Sequence, residues 1–323
     1  MAVLYVAPIL RGGLANRIFI LYSASNYAKK TDRKLVIIKK LIITNPHEPD
    51  DDTLIALEKI FQPFIYYNYV DEIKTPVQAK ATETSLPVFG PPVFHYTADY
   101  LRNTQITQTA AKQKNHQIIT QLEGQIITDS SHWSTWKHII DPNQNAFRYE
   151  EPVHIQGESV IFNGYFQSEK YFSDYPFYLN NITIKVNLYF LHVRLGDYCN
   201  TMYDLPLKRY YSEAIIRITE SDNTAKFLIF SNEVKKAQQF IENHIMVPFD
   251  YTFSKALSAY DTLIEMASCS GAICANSSLS WMGAYYQKQP RKNIYMPFPW
   301  IRNSKLGHPV DLYPEWATTI KVF

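Results

Sequence analysis

The sequence predicts an α/β protein built as two Rossmann-like lobes, each a parallel sheet with helices. Three observations carry this expectation. Short apolar runs alternate with segments of helical period along most of the chain. The alternation comes in two series, with a junction near residues 172–187. The chain has 323 residues, 46% of them hydrophobic, enough to bury the cores of two medium domains. Strands interleaved with helices imply parallel sheets covered on both faces. The expected division is 1–180 for a first lobe and 181–323 for a second.

The first series begins with an apolar run at 3–6. It meets the glycine pair Gly12-Gly13, and a helical pattern follows through Leu14, Ile18, Leu21 and Ala28. Residues 34–38 read as a second strand. Residues 43–53 contain Pro46, Pro49 and three aspartates, and read as a loop. Residues 75–92 are also punctuated by proline, and 96–127 read as mostly helical. An apolar-aromatic strand is expected at 159–166. The second series has strands at 187–194, 226–230, 272–275 and 293–296. Its helical patterns fall at 210–219, 233–243, 261–269 and 279–287. No internal repeat interrupts the pattern.

Composition excludes several classes. A net charge of +2, with no dense basic run, gives no footprint for nucleic acid. The three cysteines, Cys199, Cys269 and Cys274, show no CxxC spacing and no zinc pattern with histidine. They read as free thiols of a reducing compartment. The amino terminus lacks the basic start of a secretory signal, and no stretch of spanning length is free of charge. The expectation is a soluble, cytoplasmic protein without a transmembrane segment. Aromatic residues make up 15% of the chain, and most are expected in cores.

Chemistry concentrates in three places. Residues 191–198 run Leu-His-Val-Arg-Leu-Gly-Asp-Tyr from a strand into a turn. Strand alternation puts His192 and Arg194 on one face. A guanidinium at the carboxyl end of a parallel strand suits an anionic ligand, because its fork makes paired hydrogen bonds to phosphate. The residues equally allow Arg194 to pair with Asp197 across the turn and His192 to be a core residue. Residues 275–283 run Ala-Asn-Ser-Ser-Leu-Ser-Trp-Met-Gly from a strand into a helix. Asn276, Ser277 and Ser278 are preferred capping types, and free N–H groups at a helix start attract anions. Ordinary capping without a ligand is the other reading. Residues 11–17, Arg-Gly-Gly-Leu-Ala-Asn-Arg, follow the first strand. They form neither a Walker A loop nor a GxGxxG fingerprint. Lesser features are Ser231 and Asn232, which close a strand and cap the next helix, and Asp261 at another helix start. Asp50-Asp51-Asp52 contains a formal DxD, but in a proline-flanked loop with no strand before it, and reads as solvated.

Taken in order, these segments resemble glycosyltransferase family 11, the alpha-1,2-fucosyltransferases. Gly12 to Arg17 is similar to the family's G-G-L-G-N-Q loop, and His192 to Tyr198 to its H-V-R-R-G-D-Y. Ala275 to Gly283 is similar to its A-N-S-S-F-S-W-W-G. Residues 164–172, with Gln167, resemble G-Y-W-Q-S-E-K-Y-F. Residues 261–269 resemble its D-x-x-x-M-S-x-C helix, and 311–316 its ending. The resemblance implies a GT-B-like fold with a central cleft and inverting transfer of L-fucose from GDP-fucose to a glycan acceptor hydroxyl, such as the 2-OH of galactose. It implies no metal or other cofactor. Arg194, with Asp197, would act in catalysis. His192, Arg194, Ser231, Asn232, Asp261, Asn276, Ser277 and Ser278 would bind the donor. Gly12, Gly13, Asn16, Arg17 and Gln167 would lie on the acceptor side of the cleft. Two departures stand out. Leu195 replaces the second arginine, for which Arg17 would offset some charge. Ala15 replaces a glycine and would strain a backbone of positive φ. Another GDP-sugar, or a non-catalytic binding role, remains an alternative.

Overall fold

The computed structural model describes residues 4–38, 41–43, 56–57, 59–61, 68–70, 136–141, 148–179, 182–287, 291–302 and 310–323. The acidic loop at 50–52, the expected loop at 75–92 and the expected helix at 96–127 lie outside the described residues. The chain falls into two compact units. One is Met1–Gly13, Ile20–Asp141 and Glu151–Gly164; the other is Leu14–Phe19, Pro142–Glu150 and Tyr165–Phe323.

In the first unit five strands form one sheet: β1 (Tyr5–Pro8), β2 (Lys34–Ile38), β3 (Asn68–Val70), β4 (Lys137–Ile140) and β5 (Val160–Asn163). Their order is β3-β2-β1-β5-β4, and every pairing is parallel. One face of this sheet packs Ala7, Val36, Ile38 and Ile161 with Trp136. Helix α1 (Leu14–Lys30) starts directly after the glycine pair. Gly12 carries the positive φ of that turn, +71°, whereas Ala15 sits inside the helix and bears no such strain.

The second unit carries a six-stranded sheet: β6 (Lys185–His192), β7 (Lys226–Phe230), β8 (Asp250–Phe253), β9 (Cys269–Ile273), β10 (Ile294–Phe298) and β11 (Thr318–Lys321). Its order is β11-β10-β9-β6-β7-β8, again parallel throughout. Read outward from β6, this is the doubly wound Rossmann order, with the reversal between β6 and β9. The connections carry α2 (Lys208–Ser221), α3 (Val234–His244), α4 (Ala259–Ala267) and α5 (Ser278–Tyr285). Leu191, Phe227, Ile229 and Ile273 of the sheet pack with Tyr211, Ile215 and Ile218 of α2 and Ile241 of α3. Burying each such side chain is worth about 1.5–3 kcal/mol, which fixes the strand ends that carry the polar motifs. The parallel α/β expectation holds in both units.

Several expected strand bounds shift. The strand expected to run through Arg194 ends at His192. The last sheet bond is Val193 N–H to Phe230 O at 2.8 Å, and the Leu195 N–H is taken by Asn232 Oδ1 at 3.1 Å. Arg194 therefore lies in the turn, and strand alternation does not orient it. Strand β9 starts and stops earlier than expected, at Cys269 and Ile273. The first strand is displaced two residues, to Tyr5–Pro8.

Candidate functional site at the sheet reversal

Crevices for ligands in doubly wound sheets open at the carboxyl ends of the strands, where the order reverses. Here that point is flanked by the turn after β6 and the turn after β9, which hold the two motifs with the densest polar chemistry. Tyr198 links them. Its ring lies 5.3 Å from the Arg194 guanidinium carbon, and its hydroxyl donates to Asn276 O at 3.3 Å. Burial is the main reason its hydroxyl pKa is pushed up to about 12, so it stays a donor at every physiological pH.

The β6 turn is tightly built. Arg194 Nε and Nη2 donate to Asp197 Oδ1 and Oδ2 at 3.1 and 2.9 Å, a bidentate pair. Gly196 makes the turn with φ +71°. The Arg194 and Asp197 side chains keep 27% and 38% of their surface, so the pair is accessible rather than sealed in the core. Leu195 is partly buried and packs against the apolar core of this unit. His192 is buried, and its Nδ1 has no hydrogen-bond partner. Burial chiefly, and then the Arg194 charge, lowers its pKa to about 3, so it is neutral. The pairing of Arg194 with Asp197 and the core position of His192, which the residues left open, are both observed.

After β9, Asn276 is 1% exposed. Its Nδ2 donates to Tyr203 O at 2.9 Å and Trp300 O at 3.0 Å, which fixes the amide's orientation. Its Oδ1 accepts from nothing. Ser277 is the N-cap of α5 and accepts from Leu279 N at 3.3 Å; Ser278 opens the helix. A cavity of about 40 Å³ lies beside the β6 turn, and Arg194, Leu195, Tyr198, Tyr203 and Asn276 are among its walls.

The other expected site residues are placed differently. Ser231 Oγ accepts from Glu233 N at 3.1 Å, and Asn232 spends its whole amide on the β6 turn. Asp261 is exposed in the first turn of α4. Its Oδ2 accepts from Ser258 Oγ at 2.6 Å and its N–H donates back to Ser258 Oγ at 3.0 Å, a helix-capping pair. Asn16 Oδ1 accepts from Gln167 Nε2 at 2.7 Å, and Arg17 is fully buried. Gly12 and Gly13 form the turn into α1. Tyr198 and Tyr203 were not singled out in the sequence. Their rings lie tilted to one another at 5.2 Å beside the cavity; Tyr198 was visible only as the last residue of the His192 to Tyr198 motif, and Tyr203 only in the aromatic share of the composition. Among the described residues, no group of three or more His, Cys, Asp or Glu could hold a metal ion, and no helix is long and apolar enough to cross a membrane. All three cysteines are free thiols.

Residues 179–317, which contain both turns, match the family model described as Glycosyl transferase family 11. The match covers less than half of the chain. The chain is 25% identical over 178 residues to an alpha-1,2-colitosyltransferase of Escherichia coli, covering 49% of this chain and 61% of that protein. It is 29% identical over 137 residues to the O-antigen biosynthesis glycosyltransferase WbnK of Escherichia coli, covering 40% and 44%. The chain thus spans less than two thirds of the length of these curated relatives. Among solved structures, the fucosyltransferase NodZ from Bradyrhizobium is 12% identical, with 89% and 93% of the two chains covered and a TM-score of 0.39.

Proposed function

We propose that this chain is an inverting glycosyltransferase that moves L-fucose from GDP-fucose to a hydroxyl of a glycan acceptor. One observation carries the reading. Within the stretch that matches the family 11 model, Arg194 and Asn276 line the same cavity, and Asn276 carries a buried amide oxygen with no hydrogen-bond partner. The two groups ask for different parts of one ligand. Arg194, with the start of α5, suits a diphosphate. Both Asn276 N–H groups are spent on backbone carbonyls, so its free oxygen calls for a donor. A sugar hydroxyl or a base N–H would fill it, and a phosphate oxygen would not.

The reaction forms a bond from the acceptor hydroxyl oxygen to the anomeric carbon. The bond from that carbon to the β-phosphate oxygen breaks, and GDP leaves with the electron pair. The hydroxyl proton passes to a base or to water. Negative charge grows on the departing phosphate, where Arg194 and the α5 amides act without a metal. A preorganised donor of this kind is worth roughly 3–4 kcal/mol. Both Asp197 oxygens are engaged by Arg194, so Asp197 orients that cation rather than taking the proton.

The colitosyltransferase name of one relative supports a second reading, in which the donor carries a different deoxyhexose. One assay tests both: the chain, a glycan panel, and GDP-fucose beside other GDP-sugars, with a chelator arm. Transfer of fucose that Arg194→Ala lowers about a hundredfold or more, and that the chelator leaves alone, is expected. Arg194→Ala at full rate would sink the mechanism. Transfer of another GDP-sugar alone would move the donor.

A further inference from the structure

We infer that Asn232, one strand away from the cation, is a positioning residue that holds Arg194 and Asp197 in their ligand-ready arrangement. The inference rests on the donor-site reading above and adds a residue that acts through another. Asn232 lies just past β7, the neighbour of β6, and its amide is fully committed to the β6 turn. Oδ1 accepts from Leu195 N at 3.1 Å. Nδ2 donates to Leu195 O at 2.8 Å and to Asp197 Oδ1 at 3.2 Å. The donors and acceptors opposite it leave one amide orientation, since a flipped amide would face N–H with N–H and oxygen with oxygen.

These contacts have a definite consequence. The peptide of Leu195 is clamped at both its N–H and its C=O, so the link between Arg194 and Gly196 cannot rotate freely. Asp197 Oδ1 takes one hydrogen bond from Arg194 Nε and one from Asn232. The carboxylate is thereby held from behind while it holds the guanidinium in front. Fit around Gly196 is close as well: a Cβ there would stand 3.1 Å from Asn232 Nδ2. Asn232 is exposed, and packing alone does not explain an amide with every polar arm used on one turn. A guanidinium on a flexible stem loses affinity for a diphosphate through ordering entropy, and a braced one has already met that cost.

The experiment uses the full chain with two readouts. The first is the Nε–H resonance of Arg194 in ¹⁵N-arginine-labelled protein, assigned by its loss in Arg194→Lys. The second is the GDP dissociation constant by calorimetry, for wild type, Asn232→Ala, Arg194→Ala and the double variant. In Asn232→Ala the Arg194 resonance is expected to broaden or move to the position of solvated arginines. GDP affinity should fall about tenfold, the usual scale for a lost hydrogen bond to a charged group. In the Arg194→Ala background the second substitution should change affinity less than twofold. If Asn232 touched the nucleotide itself, its loss would recur in full in that background. A full recurrence, or an unmoved resonance with unchanged affinity, overturns the inference. If wild type binds no GDP while the resonance still responds to Asn232→Ala, the donor reading fails and the brace stands.

Discussion

Replacing Gly196 by alanine adds one methyl group to the turn that carries Arg194, and its effect can be worked out from the geometry. Gly196 has φ +71°, where an L-residue with a side chain costs about 1–2 kcal/mol. The new methyl would stand 3.1 Å from Asn232 Nδ2 and 3.2 Å from Glu233 Cγ and Oε1. The Glu233 side chain can swing aside, whereas Asn232 can move only by releasing Leu195 and Asp197. The turn is therefore pushed toward other conformers by at least the backbone term. A bias of about 1–2 kcal/mol lowers the binding-competent fraction by up to about 5- to 30-fold, and the apparent Kd for GDP rises by the same factor. Gly157 supplies a matched control. Its φ is +70°, nothing lies within 4 Å of the added methyl, and it belongs to the other unit. Calorimetric titration of GDP into both variants is the assay. Gly196→Ala should weaken binding within that range and Gly157→Ala should not. Wild-type affinity in Gly196→Ala, or an equal loss in Gly157→Ala, would refute the argument.

Two further predictions concern neighbours of the same turn. His192 is held neutral with its pKa lowered from 6.5 to about 3, so below about pH 6.5 only the unfolded chain gains its proton. Its contribution is complete above that value and is lost as the pH falls toward 3, at up to about 1.4 kcal/mol per unit. Urea midpoints at about pH 7 and about pH 5 should therefore differ less in His192→Leu than in wild type; equal slopes would contradict this. Cys199 is exposed on the wall of the cavity, whereas Cys269 and Cys274 are buried, with burial driving the Cys269 pKa up to about 12. A maleimide should label Cys199 alone, and saturating GDP should slow it severalfold; labelling indifferent to GDP would place the nucleotide elsewhere.

The central strands were legible because they are buried on both faces. The runs at β7 and β2 matched the structure residue for residue, being nearly continuous apolar segments. The edge strands β8 and β11 were not read. Half or more of their residues face solvent, and the sequences Asp-Tyr-Thr-Phe and Thr-Thr-Ile-Lys offer no apolar run. At the site, the positions of Arg194 and Asn276 just past the ends of strands could be read from their neighbours in sequence. The work of Asn232 could not, because its partners, the Leu195 backbone and the Asp197 carboxylate, lie in a turn 35–37 residues earlier and leave no trace in local sequence. Asp261 carried a readable signal for capping, the Ser-x-x-Asp spacing from Ser258.

The loops of the second unit prop one another up. Asn232 steadies the turn before it, Tyr198 reaches to Asn276, and Asn276 in turn ties down Tyr203 and Trp300. An engineer seeking a new ligand preference would gain little by transplanting any single loop from a related protein. The grafted piece would arrive without its buttress, so such chimaeras should succeed only when the loops are exchanged as a set.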